Sequence, residues 1–153
     1  MKLVVALAVP LLAGLVGSAF TAPKIGTWYA GLLKPTLAPP NWVFGRVWTA
    51  LYLMMGVSFW LVLKSEGKNK AEKRKAVVAF SIQMALNALW SIAFFGEQSP
   101  LLGLVVIAAL WVMIFICIFR FAHIARPAAW LLVPYILWVS YASYLNFQIW
   151  KLN

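Results

Sequence analysis

This chain has few acidic side chains and almost no cysteine. Three Asp or Glu residues stand against thirteen Lys or Arg residues, and charged residues make up 10% of the 153 positions, whereas soluble domains carry about 25%. One cysteine cannot form an intrachain disulfide, and a metal cluster needs several ligands. Cys117 is therefore expected to be a small buried or lipid-facing apolar residue.

The long apolar stretches hold no clear ionisable residue. Glu66 and Glu72 lie in a basic connection, and Glu97 lies at the end of the third stretch. The only histidine, His123, lies in the fourth connection, where an interfacial polar role is favoured over a haem or metal ligand. Proton-coupled transporters usually need an intramembrane carboxylate or histidine. The sequence therefore disfavours proton-coupled transport, and it shows no catalytic triad, carboxylate pair, metal-ligand set or phosphate loop.

What the chain does contain is apolar and aromatic surface. It is 65% hydrophobic and 16% aromatic, with a mean hydropathy of +0.90. Five apolar stretches have the length of about twenty residues that a transmembrane helix needs. We predict an all-α membrane protein with one domain over residues 1–153. Its five transmembrane helices are expected near residues 3–21, 42–63, 76–95, 101–119 and 128–150.

The first stretch has a second interpretation. Lys2, the apolar run after it and the small residues before Pro23 also resemble a signal peptide, and cleavage would leave four spans. As a helix, it would let a neighbour approach closely at Gly14, Gly17 and Ser18.

The basic residues are distributed unevenly between the two ends of the predicted bundle. The positive-inside rule predicts a cytoplasmic N-terminus, with the connection 64–75 as a solvated cytoplasmic turn. Anionic lipid explains positive charge beside apolar spans better than nucleic acid does, so no nucleic-acid partner is expected. The larger group is Lys2, Lys64, Lys68, Lys70, Lys73, Arg74, Lys75, Arg120 and Arg126, and the smaller is Lys24, Lys34, Arg46 and Lys151.

The first connection, WYAGLLKPTLAPPNWVFGRVWTALY over residues 28–52, combines aromatic residues with prolines. Proline fixes its own φ and restricts the residue before it, so this segment is stiff. Aromatic rings supply large flat apolar surfaces. The segment predicts a lid over a site for a flat apolar ligand. Its aromatic residues are Trp28, Tyr29, Trp42, Phe44, Trp48 and Tyr52.

Polar and aromatic residues share helix faces within the spans. Gln83, Asn87 and Trp90 recur at helical spacing in the third span. Amides are costly against lipid, so this face should point into the bundle. In the fifth span Trp138 and Ala142 share a face with Leu145, beside Asn146, and in the second Trp48 lies one turn from Tyr52.

Helix packing is the alternative explanation for these residues. Gln83 and Asn146 fit a helix-tying role as well as a pocket role. Trp42, Trp60, Trp130 and Trp150 lie near span ends and fit an interfacial belt.

Three ordered motifs on this five-span frame resemble the translocator protein family, also called tryptophan-rich sensory proteins (TspO/MBR). They are W-Y-x-x-x-L-K-P-x-x-x-P-P-x-W-x-F-x-x-x-W in the first connection, Q-x-x-L-N-x-L-W-x-x-x-F-F-G from Gln83, and V-P-Y-x-x-W-x-x-x-A-x-x-L-N from Val133. The resemblance implies a five-helix bundle, commonly dimeric, that binds porphyrins such as protoporphyrin IX and synthetic isoquinoline carboxamides, with no obligatory cofactor. The matching pocket positions are Trp28, Tyr29, Trp48, Tyr52, Asn87, Trp90, Phe94, Trp138, Ala142 and Leu145.

The resemblance implies a membrane receptor for tetrapyrroles, and other functions stay open beside it. Trp48 and Trp138 match positions that are implicated in light- and oxygen-dependent porphyrin breakdown. Facilitated porphyrin or lipid transport and a purely structural role are further alternatives. The sterol-recognition segment of the family is altered here, because Phe147 takes the place of its central tyrosine ahead of Lys151.

Small residues predict a homodimer face, with the third span preferred. They are Ala76, Ala79 and Ala85 on that span and Gly103 and Ala108 on the fourth.

Overall fold

The structure, a computed structural model, describes residues 1–153 and contains only helices. Five of its helical spans are long and apolar enough to cross a membrane, which confirms the predicted all-α, five-helix fold. The helices are α1 (Lys2–Ile25), α2 (Asn41–Lys64), α3 (Lys70–Ser91), α4 (Pro100–Ala122), α5 (Arg126–Leu131) and α6 (Val133–Leu152). A 3₁₀ turn covers Tyr29–Gly31, and α3 continues as a π-helical segment over Ile92–Gly96.

Helix α3 begins earlier than the predicted third span. The Asn69 side chain accepts a hydrogen bond of 2.8 Å from the Ala71 N–H, which satisfies one of the free donors at the helix start. Most of the basic residues assigned to the connection 64–75 therefore lie on the first turns of α3. Lys73 Nζ donates to the backbone oxygens of Leu63 (3.0 Å) and Ser65 (2.6 Å), which ties α3 to the end of α2.

The predicted fifth span, 128–150, is divided at Leu132 into α5 and α6. Pro134 explains the division, because proline has no N–H and its ring clashes with the carbonyl four residues earlier. Helix α5 is held to α2 by the buried Ser58 hydroxyl, which donates to the Ala128 oxygen at 2.6 Å.

The helices form a ring in the order α1, α2, α5 with α6, α4 and α3, which closes on α1. The half of the ring near the basic connections is filled by side chains. Phe59 stacks on Phe80 with centroids 4.2 Å apart, and Phe80 stacks on Phe121 at 5.9 Å. All three rings are buried. The opposite half holds the open space. It lies beneath the first connection, which in the structure is residues 26–40, because the rest of the segment 28–52, with Trp42, Phe44, Trp48 and Tyr52, lies on α2.

Three of the five small residues proposed for a dimer face pack inside the chain instead. Ala76, Ala79 and Gly103 are buried, whereas Ala85 and Ala108 are exposed. A Cβ at Gly103 would lie 2.9 Å from the Phe94 ring, so this glycine lets α4 approach the end of α3.

Candidate functional site

A cavity of about 630 Å³ lies in the half of the bundle beneath the first connection. This is within the usual range for small-molecule sites, about 300–1,000 Å³. No Lys, Arg, Asp, Glu, His, Cys or Met lines it. The lining residues are Leu11, Gly14, Leu15, Gly17, Ser18, Thr21, Ala22 and Ile25 of α1; Tyr29; Asn41, Phe44, Gly45, Trp48, Thr49 and Tyr52 of α2; Asn87, Trp90, Ser91, Phe94 and Phe95; and Ala142, Leu145, Asn146 and Ile149 of α6.

Four aromatic rings form a continuous stack along one wall of the cavity. Trp48 lies 5.6 Å from Tyr52 and 6.4 Å from Trp90, and Trp90 lies 5.5 Å from Phe94, with interplanar angles of 26–29°. The stack arises because residues three or four apart on a helix share a face, which pairs Trp48 with Tyr52 and Trp90 with Phe94. The wall therefore offers an extended flat apolar surface.

Helix α1 supplies the facing side with small residues. A Cβ added at Gly14 would lie 2.6 Å from the Tyr52 ring, and one at Gly17 would lie 3.0 Å from Ser91 Oγ. Glycine at these positions lets α1 pack closely on α2 and α3. The α1 face at 11, 14, 18, 21 and 25 has no aromatic or amide side chain, so the sequence patterns that found the other walls missed it. The only signal was the run of small residues.

A chain of hydrogen bonds leads from the cavity into the bundle. The Tyr52 hydroxyl donates to Asn87 Oδ1 (2.8 Å), Asn87 Nδ2 donates to the Tyr135 hydroxyl (2.7 Å), and that hydroxyl donates to Gln83 Oε1 (2.9 Å). Asn87 thus lines the cavity while both ends of its amide are engaged within the protein. Gln83 lies outside the cavity as a tie between α3 and α6, and its Nε2 has no partner.

Asn146 combines the two roles that the sequence left open. Its Oδ1 accepts from Trp90 Nε1 at 3.0 Å, and its Nδ2 donates to the Pro100 oxygen at 2.7 Å. It also lines the cavity. The amide therefore fixes the orientation of the Trp90 indole and joins α6 to the start of α4.

Tyr29 lines the cavity beneath the first connection. It is 4% exposed, and its ring lies 5.7 Å from that of Phe95 and 6.5 Å from that of Phe44. Burial raises the pKa of its hydroxyl, with a smaller contribution from Tyr141. Lys34 Nζ lies 4.7 Å from the Tyr29 ring centroid and donates to the Leu32 oxygen at 3.2 Å.

The first connection is bound to α6 at two points. The Leu33 N–H donates to Asn153 Oδ1 (3.1 Å), and Asn153 Nδ2 donates back to the Leu33 oxygen (2.9 Å). Further along, the Tyr141 hydroxyl donates to the Leu37 oxygen. These bonds hold the connection across the end of the bundle.

Eight of the ten predicted pocket residues line this cavity, and Trp28 and Trp138 do not. Trp28 packs edge-on against Phe94, with centroids 5.5 Å apart. Trp138 packs against Phe44 at 6.1 Å and Tyr141 at 5.4 Å, and its buried Nε1 has no hydrogen-bond partner. Both indoles support lining residues from behind.

The remaining predicted residues lie away from the cavity. Trp42, Trp130 and Trp150 are exposed near helix ends, as an interfacial belt requires. Phe147 and Lys151 of the predicted sterol segment are exposed on α6. Cys117 is buried, and His123 is exposed, with Nδ1 2.8 Å from the Phe119 oxygen.

Comparisons with known proteins agree with the motifs. The profile of the TspO/MBR family matches residues 6–151. The chain is 51% identical over 144 residues to "Tryptophan-rich protein TspO" of Chlorobaculum tepidum, covering 94% of this chain and 90% of that protein. It is 42% identical over 153 residues to the protein of the same name from Archaeoglobus fulgidus, covering 100% and 97%. It is 35% identical over 156 residues to the human "Translocator protein", covering 94% and 85%.

Proposed function

The chain belongs to the TspO/MBR family and is an integral multi-pass membrane protein, and on that premise we propose that it is a membrane receptor for tetrapyrroles such as protoporphyrin IX. The observation that carries the proposal is the four-ring stack beside an uncharged cavity of about 630 Å³. A porphyrin macrocycle is flat and largely apolar, and aromatic faces stack favourably on such surfaces.

The charged groups of the ligand would remain at the margin of the cavity. Because no cationic side chain lines it, propionates would point outward, where Lys24 and Arg46 lie next to lining residues in sequence. Lys34 is less suited, because its ammonium is already engaged by the Tyr29 ring and backbone carbonyls. Recognition would rest on the macrocycle, since no His, Cys or Met lines the cavity to ligate a metal.

Titration with protoporphyrin IX in the dark tests the receptor function. Protein in nanodiscs should show saturable tryptophan quenching with a Soret shift. Trp48→Leu should raise Kd by about tenfold, because aromatic stacking contributes about 0.5–1.5 kcal/mol beyond burial. Trp130→Leu is the matched control, since Trp130 is 72% exposed and outside the cavity. Non-saturable quenching that neither variant changes would mean that porphyrin only partitions into lipid.

Illumination of the same samples separates a receptor from a porphyrin-degrading enzyme. Trp48 lines the cavity, whereas Trp138 does not line it and packs against Phe44. If the protein is a receptor, light and oxygen should bleach the Soret band no faster than they do in protein-free nanodiscs. Faster loss with a new product band, abolished by Trp48→Phe, would assign the enzyme instead. Vectorial uptake into sealed vesicles would assign a transporter.

A further inference from the structure

We propose that ligands reach this cavity from the bilayer, through a gap between α1 and α2, while the first connection stays closed. The inference rests on the proposed function, because it concerns how the tetrapyrrole enters and leaves.

The spacing between α1 and α2 increases towards the first connection. A Cβ at Gly56 would lie 2.9 Å from the Leu7 Cα, and one at Gly14 would lie 2.6 Å from the Tyr52 ring. A Cβ at Gly45, two turns closer to the connection than Tyr52, would meet nothing within 4 Å. The antiparallel helices therefore touch at Gly56 and Gly14 and separate at Gly45.

Residues of α1 and α2 on either side of this gap line the cavity and are also exposed on the outer surface of the bundle. Leu15 of α1 lines the cavity and is 67% exposed. Ser18 and Ala22 of α1 and Gly45 and Thr49 of α2 also line it and are exposed. Lining residues of α3 and α6, by contrast, are buried or half-buried. The cavity is therefore open laterally along α1 and α2.

The chemistry of the gap suits passage of an apolar body. None of its residues is charged, and the Thr49 hydroxyl donates to the Gly45 oxygen at 2.7 Å, so it needs no outside partner. The gap lies between the last turns of α1 and the first turns of α2, and both helices are long and apolar enough to cross a membrane. A planar apolar molecule dissolved in the bilayer would therefore meet an uncharged opening between two membrane-spanning helices.

The alternative route, under the first connection, requires that segment to move. Tyr29 lines the cavity on that side and is 4% exposed, and the Leu33–Asn153 and Leu37–Tyr141 hydrogen bonds hold the segment to α6. Opening it would break three hydrogen bonds and expose the Tyr29 ring, whereas the lateral gap is already open.

Stopped-flow kinetics of protoporphyrin IX binding in nanodiscs test the route. Gly45→Leu adds a side chain to the gap, so association and dissociation rates should both fall by about tenfold, because it raises the barrier that the ligand crosses in both directions. Ala22→Leu narrows the same gap from α1 and should act in the same direction. Ala50→Leu is the matched control, since Ala50 is exposed on α2 and outside the cavity.

A second arm releases the first connection. Asn153→Ala combined with Tyr141→Phe should leave both rates unchanged. Faster association and dissociation of protoporphyrin IX in this double variant, with no effect of Gly45→Leu and Ala22→Leu on either rate, would overturn the lateral route. The first connection would then be the gate. Saturable binding with that result would leave the receptor function intact, whereas absence of saturable binding in the unmodified protein would overturn both.

Discussion

The indoles of Trp48 and Trp90 lie 6.4 Å apart with their planes inclined by 29°, although they come from α2 and α3, which make few contacts elsewhere. Trp90 is held in this orientation by the hydrogen bond from its Nε1 to Asn146 Oδ1. The flat wall of the cavity is therefore an arrangement of three helices, and its geometry depends on an amide as well as on the rings.

Removing that amide should weaken binding without removing any ring. Asn146→Ala leaves the Trp90 N–H without its partner and frees the indole to rotate, so Kd for protoporphyrin IX should rise by about fivefold to tenfold. Ser143→Ala is the control, because the Ser143 hydroxyl bonds within α6 to the Val139 oxygen and lies outside the cavity. Equal affinities in the two variants would show that Asn146 does not position Trp90.

The buried hydroxyl of Tyr135 should contribute measurably to stability. Tyr135→Phe leaves Asn87 Nδ2 and Gln83 Oε1 without their hydrogen-bond partner, so the free energy of unfolding should fall by about 1–2 kcal/mol. Denaturation in detergent micelles measures the change. Tyr144→Phe is the control and should leave the free energy of unfolding unchanged, since Tyr144 is 40% exposed. If the two variants were equally stable, the hydrogen-bond network would not have the role assigned to it.

The Asn153 side chain should restrict the first connection. Asn153→Ala removes both hydrogen bonds to Leu33, so amide exchange at Leu33 should accelerate by about tenfold. Hydrogen–deuterium exchange with mass spectrometry measures it, with Leu152→Ala as the exposed neighbouring control. Unchanged exchange at Leu33 would mean that other contacts hold the segment.

The charge distribution predicts that the cavity lies at the end of the bundle that faces away from the cytoplasm. Cys117 is the only cysteine and is buried, so Cys117→Ser provides a background for single-cysteine labelling. An impermeant maleimide outside sealed right-side-out vesicles should label Thr36→Cys and leave Lys68→Cys unlabelled until the vesicles are opened. The reverse pattern would invert the orientation.

The parts of the site that the sequence could predict are those with distinctive side chains. Trp48, Tyr52, Asn87 and Trp90 stand out because aromatics and amides at helical spacing in a membrane span need an interior location. The α1 face could not be found in this way. Its lining residues are small or aliphatic, with no aromatic ring or amide, and their effect depends on where the neighbouring helices run.

The bounds of the helices were likewise only partly predictable from the sequence. The five spans follow from length and hydropathy, whereas the early start of α3 depends on a single capping side chain, Asn69. Trp138 shares a face with Ala142 in the sequence, yet in the structure it packs against Phe44 of α2 and does not line the cavity. Helix periodicity predicts on which face of its own helix a residue lies. It does not predict which side chains of a second helix pack against that face.

Filling the cavity at Ala142 tests most directly whether the ligand binds there. Ala142 is 6% exposed and lines the cavity, whereas Ala109 is exposed on α4, so Ala142→Phe and Ala109→Phe add the same ring inside and outside. Dark titration with protoporphyrin IX, on variants with native-like thermal transitions, should show saturable binding lost in Ala142→Phe and retained in Ala109→Phe. Unchanged affinity in Ala142→Phe would place the ligand outside this cavity and contradict the account.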